Sequence, residues 1–199
     1  MPAVTLAAAV LAGCGGGDSA PQPPALASAQ SMCDAFLGRT IEGAVVTQAT
    51  FVPTADNTPG HCIVRGEMPQ DLDFQVTLPT DWNQRTVFQG TGGFAGNFPA
   101  SNPYLATHAY ATITSNHGHT AGGLDPEFAL DAQMLGEYSY LAVPRVMGPA
   151  KAIIQERYGD KVSGTKMVYD GCSGGGRQGL IQAQRYPDLF DGVISRAPA

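Results

Sequence analysis

An α/β fold built on a parallel sheet is predicted by two features of this 199-residue chain. Short strand-like apolar runs alternate with longer stretches of helical periodicity, and 43% hydrophobic against 14% charged residues suffices for one sizeable core.

The elements follow in order. Ala44 to Ala49 and Cys62 to Gly66 read as a pair of strands. Asp73-Phe74-Gln75-Val76-Thr77-Leu78 alternates apolar and polar side chains, as a half-buried strand should, and is stopped by Pro79. Thr86-Val87-Phe88-Gln89 is the next strand and runs into the glycine-rich stretch Gly90 to Gly96; Tyr110 to Thr114 is another. Between Leu141 and Tyr158, Val146, Met147, Ala150, Ile153, Ile154 and Tyr158 recur at helical spacing, with Gly159 closing the helix and Pro144 and Pro149 expected to kink or restart it. Lys166 to Tyr169 is a strand, Gly174 to Tyr186 a helix halted by Pro187, and Val193-Ile194-Ser195 a last strand.

The formal net charge is −6 and no basic cluster occurs, which argues against nucleic acid or an anionic membrane surface as partner and favours a small organic ligand. At the N-terminus, Ala3 to Leu11 is apolar but about half the length that spans a bilayer. It is followed by Leu11-Ala12-Gly13-Cys14, which resembles the lipobox of bacterial lipoproteins and implies export with Cys14 lipidated. No Lys or Arg precedes the run, a departure from the usual signal pattern. Residues 1–14 are thus expected to be a signal segment, 15–30 a Gly/Ser/Ala/Pro-rich tether, and 31–199 the folded domain. The expected location is the periplasm, the outer membrane through a lipid anchor, or the exterior. Export favours oxidised cysteines; Cys33 and Cys62 flank the two-strand stretch and are expected to pair, two buried free thiols being the alternative. Cys172 then has no partner.

Gly171-Cys172-Ser173-Gly174-Gly175 follows a strand and opens a helix. In that setting a strained turn lifts a serine hydroxyl above the sheet edge, and glycines two before and two after it avoid collision with neighbouring backbone. The helix N-terminus adds free N–H groups and a positive dipole for developing negative charge. Ser173 is therefore the candidate nucleophile. A phosphate-binding loop is the alternative, but the Lys-Ser/Thr pair that would hold phosphate and metal is missing.

The run Tyr169-Asp170-Gly171-Cys172-Ser173-Gly174-Gly175-Gly176-Arg177-Gln178-Gly179-Leu180 resembles the tannase and feruloyl esterase family of α/β-hydrolases. So do Ala183 to Pro187, Phe190-Asp191-Gly192, Ala197-Pro198-Ala199, Asp81-Trp82-Asn83, Gly92 to Gly96 and Gly118-His119, in family order from about Cys33 onward. The resemblance implies the N-terminal part of an α/β-hydrolase, ending after the elbow helix and the following strand, with the family's lid domain and its calcium ion absent; no cofactor or metal ligand is expected on the chain itself. It implies ester hydrolysis on aromatic acyl groups such as feruloyl or galloyl, through an acyl-enzyme on Ser173. It implies a disulfide between Cys172 and a cysteine directly after the catalytic histidine, both beyond Ala199, where the order serine, acid, histidine places them. It also implies that the amides of Gly174 and of Gly93 or Gly92 form an oxyanion hole, an ordinary tight turn being the alternative for the glycine loop.

His61-Cys62 is a decoy pair in the region of the N-terminal disulfide, while His117 and His119 suggest at most half a metal site. Asn116 stands where the family often carries Asp, so no hydrogen-bond role is assigned to it. Asp170 and Asp191 are expected to be structural or capping residues. Two rival readings are an inactive fragment and a lipid-anchored, non-catalytic binding protein of hydrolase fold.

Overall fold

The computed structural model describes residues 28–199. The expected signal segment, Cys14 and all but the last three residues of the expected tether lie outside the described residues. Those three are the N-cap and first turn of α1 (Ala29–Asp34), where the Ser28 hydroxyl accepts from the Ser31 N–H.

Eight strands form one sheet: β1 (Thr40–Ile41), β2 (Ala44–Val52), β3 (His61–Met68), β4 (Leu72–Pro79), β5 (Arg85–Gln89), β6 (Ala111–Ser115), β7 (Lys166–Cys172) and β8 (Gly192–Arg196), in the spatial order β1-β2-β3-β4-β6-β5-β7-β8. The expected parallel sheet is in fact mixed. β1 to β4 and β6 pair antiparallel, whereas β6, β5, β7 and β8 run parallel. The reason lies in the connections: only three residues join β3 to β4, enough for a hairpin, while β6, β7 and β8 each follow a helix that carries the chain back. Pro79 is the last residue of β4, paired with His61, and does not lie outside the strand.

Helices α2 (Pro103–Thr107), α3 (Ala132–Gly136), α4 (Ala142–Tyr158) and α5 (Gly174–Arg185) complete the fold. A π turn, Glu137–Leu141, joins α3 to α4. The helix does not restart at the prolines: Pro144 lies near the start of α4, directly after the π turn, and Pro149 lies inside the same helix. The apolar side of α4, carrying Val146, Met147, Ala150 and Ile153, buries against the inward positions of the sheet, including Val64, Phe74, Val76 and Ile113. That packing outweighs the hydrogen bond Pro149 removes. Gly159, at φ 56°, caps the helix.

Among the described residues no helix is long and apolar enough to cross a membrane. Cys33 on α1 and Cys62 on β3 form the expected disulfide, with Cα atoms 5.5 Å apart and both side chains buried. The bond closes a loop of sequence separation 29, so removing it with Cys33→Ser should cost roughly 3 to 4 kcal/mol of folding stability, measured by urea unfolding. A change below about 1 kcal/mol would mean that α1 is held by packing alone.

Candidate active site

β7 lies between β5 and β8, so its C-terminal end opens among the loops that follow three parallel strands. There the chain turns sharply. Ser173 has φ 57° and ψ −124°, its N–H donates to Arg196 O at 3.0 Å, and α5 begins at the next residue. The glycines around it are explained by what a Cβ would meet. At Gly175 it would sit 2.8 Å from the carbonyl carbon of Gly90; at Gly171 it would strike the Gly175 backbone; at Gly176, Arg196 O and Pro198. At Gly174 it would strike Gly93 O. The elbow is therefore an assembly of main chains in direct contact.

The Gly90 to Gly96 loop packs on that assembly. Gly90 N–H donates to Asp170 O at 2.9 Å, and Gly93 takes φ 59°. No hydrogen bond engages the N–H of Gly92, Gly93 or Gly174 among the described residues. Free amide donors thus occur at the residue after the half-buried Ser173 and on the glycine loop that packs against it. The structure brings Ser173, Gly174, Gly92 and Gly93 together; Cys172 beside them is exposed and free among the described residues.

The four histidines are all engaged elsewhere. His61 Nδ1 meets Pro59 O at 3.0 Å, and its neighbour Cys62 is consumed by the disulfide. His108 Nδ1 meets Tyr104 O at 2.9 Å. His119, stacked on Phe128 at 3.8 Å between ring centroids, donates from Nε2 to Phe94 O at 2.7 Å. His117 is fully buried and faces Gln178. His117 and His119 thus hold different partners and do not converge on a shared point. Among the described residues no group of three or more His, Cys, Asp or Glu side chains could hold a metal.

Asn116 corrects an expectation. Its Oδ1 accepts from Asp73 N–H and Gly118 N–H at 2.9 and 3.0 Å, and its Nδ2 donates to Asp71 O at 2.8 Å, tying the loop after β6 to the start of β4. An amide supplies the donor for Asp71 O that a carboxylate lacks. Asp191 accepts from Lys166 Nζ and Met167 N–H, and the first of these holds its carboxyl below the usual range. Asp170 pairs with Arg196 at 2.9 Å.

One feature has no counterpart in the sequence reading. Gln178, buried on α5, donates from Nε2 to His117 Nδ1 and to Tyr138 O, both at 2.9 Å, while its Oε1 lies 3.3 Å from the Tyr169 hydroxyl, whose hydrogen it shares with Gly175 O. Because Tyr138 O can only accept, the amide orientation is fixed, and His117 is the neutral Nε2–H tautomer. The available signal was a glutamine on the helix face that packs inward. A groove of about 840 Å³ lined by Lys151, Gln155, Asp188 and Phe190 lies at the opposite end of the parallel strands from Ser173.

The family model described as tannase and feruloyl esterase matches residues 57–199. An uncharacterized esterase of Agrobacterium fabrum is 32% identical over 176 residues, covering 78% of this chain and 32% of the relative. Mono(2-hydroxyethyl) terephthalate hydrolase of Piscinibacter sakaiensis is 29% identical over 180 residues, covering 75% of this chain and 28% of the relative. The crystal structure of feruloyl esterase B from Aspergillus oryzae matches with a TM-score of 0.71 at 27% identity, over 85% of this chain and 37% of that one. The chain spans about a third of the length of the curated relatives it matches.

Two predictions follow from the packing. Gly175→Ala forces a Cβ onto Gly90 main chain and should destabilise the fold by about 1 to 3 kcal/mol. Gly148→Ala, on the exposed side of α4 with its nearest neighbour 4.0 Å away, should stabilise by about 0.5 to 1 kcal/mol; thermal unfolding of both reads the contrast. The second concerns pH. Burial, with smaller effects from His119 and Arg177, pushes His117 down from its ordinary 6.5 to about 3. The unfolded chain therefore binds a proton the folded one refuses, and stability falls as pH drops from about 6.5 toward 3. Urea unfolding at a series of pH values should show a shallower decline for His117→Asn than for the wild type.

Proposed function

The chain belongs to the tannase and feruloyl esterase family, and from that premise we propose that it carries the nucleophile half of a serine esterase acting on aromatic acyl esters. The observation that supports this reading best is the backbone of Ser173: a non-glycine residue at φ 57° and ψ −124°, followed at once by a helix N-terminus and flanked by unpaired amides of Gly174, Gly92 and Gly93. Such a strained conformation costs about 1 to 3 kcal/mol and persists only where its surroundings over-determine it, as the glycine contacts here do.

In the proposed reaction the Ser173 hydroxyl attacks the ester carbonyl while a base takes its proton. Charge then gathers on the former carbonyl oxygen, where the Gly174 amide and that of Gly93 or Gly92 donate to it; losing one such donor typically costs about 3 to 4 kcal/mol. Collapse expels the alcohol and leaves an acyl-serine, which water cleaves. None of the four histidines is free to serve as base, so the histidine and its acid partner are assigned to sequence following Ala199. Cys172, exposed at the mouth of the elbow, is assigned a disulfide with a cysteine beside that histidine. The aromatic acyl preference draws on relatives named as feruloyl esterase B and as mono(2-hydroxyethyl) terephthalate hydrolase. Export and lipidation of Cys14 belong to the same proposal.

The test is Ser173→Ala in the gene product that includes the C-terminal continuation, assayed on p-nitrophenyl and feruloyl esters. Activity should fall by on the order of 10⁶-fold, as removal of a triad nucleophile does elsewhere. Hydrolysis at the wild-type rate would sink the reading.

A further inference from the structure

Resting on the esterase reading above, we infer that Gln178 is a positioning residue for the nucleophile: its carboxamide, held by His117, Tyr138 and Tyr169, sets how α5 is rotated and therefore where Ser173 and the Gly174 amide point. The need arises from the glycines. Gly174, Gly175 and Gly176 let main chains touch, but they offer no side chain to resist rotation of the helix, and glycine is a weak start for any helix. Gln178 is the first residue of α5 whose buried side chain makes hydrogen bonds, just over one turn beyond the serine.

Its bonds reach three separate elements. His117 follows β6, Tyr138 lies in the π turn before α4, and Tyr169 is on β7, its one hydroxyl hydrogen shared between Gln178 Oε1 at 3.3 Å and Gly175 O at 3.0 Å. Both amide hydrogens are thereby used, and the amide oxygen shares the single Tyr169 hydroxyl hydrogen with Gly175 O. His117 is costly to keep. It holds φ 62° although it is not glycine, and its Nε2–H is buried with no partner. A leucine there would bury more cheaply; what it could not do is accept from Gln178. The burial that keeps this ring neutral suits the role, because a protonated Nδ1 would set one N–H against another.

A purely structural network would affect stability alone, whereas positioning affects turnover. The experiment compares Gln178→Leu, His117→Leu and His117→Asn in the full gene product, with Tyr158→Phe as a control that removes a part-buried bond to Pro79 O, between the end of α4 and β4. Gln178→Leu and His117→Leu should lower kcat by on the order of 10²-fold, with KM within about twofold, as small displacements of reacting groups do. His117→Asn should restore most of kcat, because its carboxamide oxygen stands near the place of Nδ1. Tyr158→Phe should lower Tm and leave kcat alone. Wild-type kcat in folded Gln178→Leu would overturn the inference, and so would a His117→Asn no better than His117→Leu, which decides the matter if Gln178→Leu does not fold. A wild type without esterase activity would overturn the esterase reading and this inference together, so the two failures are distinguishable.

Discussion

Main chain lies against main chain at the end of β7, and the rest of the structure is arranged to allow it. Ser173 holds its unusual dihedrals because Gly171, Gly174, Gly175 and Gly176 admit the backbones of Gly90, Gly93 and Arg196 at distances no Cβ would tolerate. The strand order makes this possible. With β7 between β5 and β8, the glycine loop after β5 approaches the elbow from one side and the end of β8 from the other. Open α/β sheets place their chemistry beyond the carboxyl ends of the strands, and here the free amides of Gly92, Gly93 and Gly174 gather at that end.

Rigidity around this point comes from two sources. On one flank, the antiparallel strands β1 to β4 bury their inward side chains against α4, and the Cys33–Cys62 bond pins α1 to β3. Beneath the elbow the material is polar: Asn116, His117 and Gln178 are nearly inaccessible, and their hydrogen bonds knit the loop after β6 to β4 and α5. A buried polar network of this kind specifies one arrangement where an apolar one would permit several.

Much of the fold was legible because a half-buried strand must alternate and a helix must repeat at its own period; Asp73 to Leu78 and the face from Val146 to Tyr158 show both patterns. Strand direction was less legible, since it depends on how the chain returns; the three residues linking β3 to β4 held that information, whereas the alternation of strands and helices alone pointed to a parallel sheet. The prolines in α4 misled because local propensity yields to packing when a helix buries a full face. At the site, Ser173 and its glycines announced themselves as one contiguous motif, while the Gln178 network joins residues 61 positions apart and leaves no local trace. His117 and His119 had looked alike in the sequence, yet one ring meets a glutamine and the other stacks on Phe128.

The central claim, that the strained turn mounts a reactive serine, is tested most directly by covalent capture. The full gene product would be treated with a fluorophosphonate and its peptides mapped by mass spectrometry. A single adduct on Ser173, blocked by competing ester substrate, is the result expected. Ester hydrolysis that continues with Ser173 unmodified, or an adduct on another residue, would contradict the account.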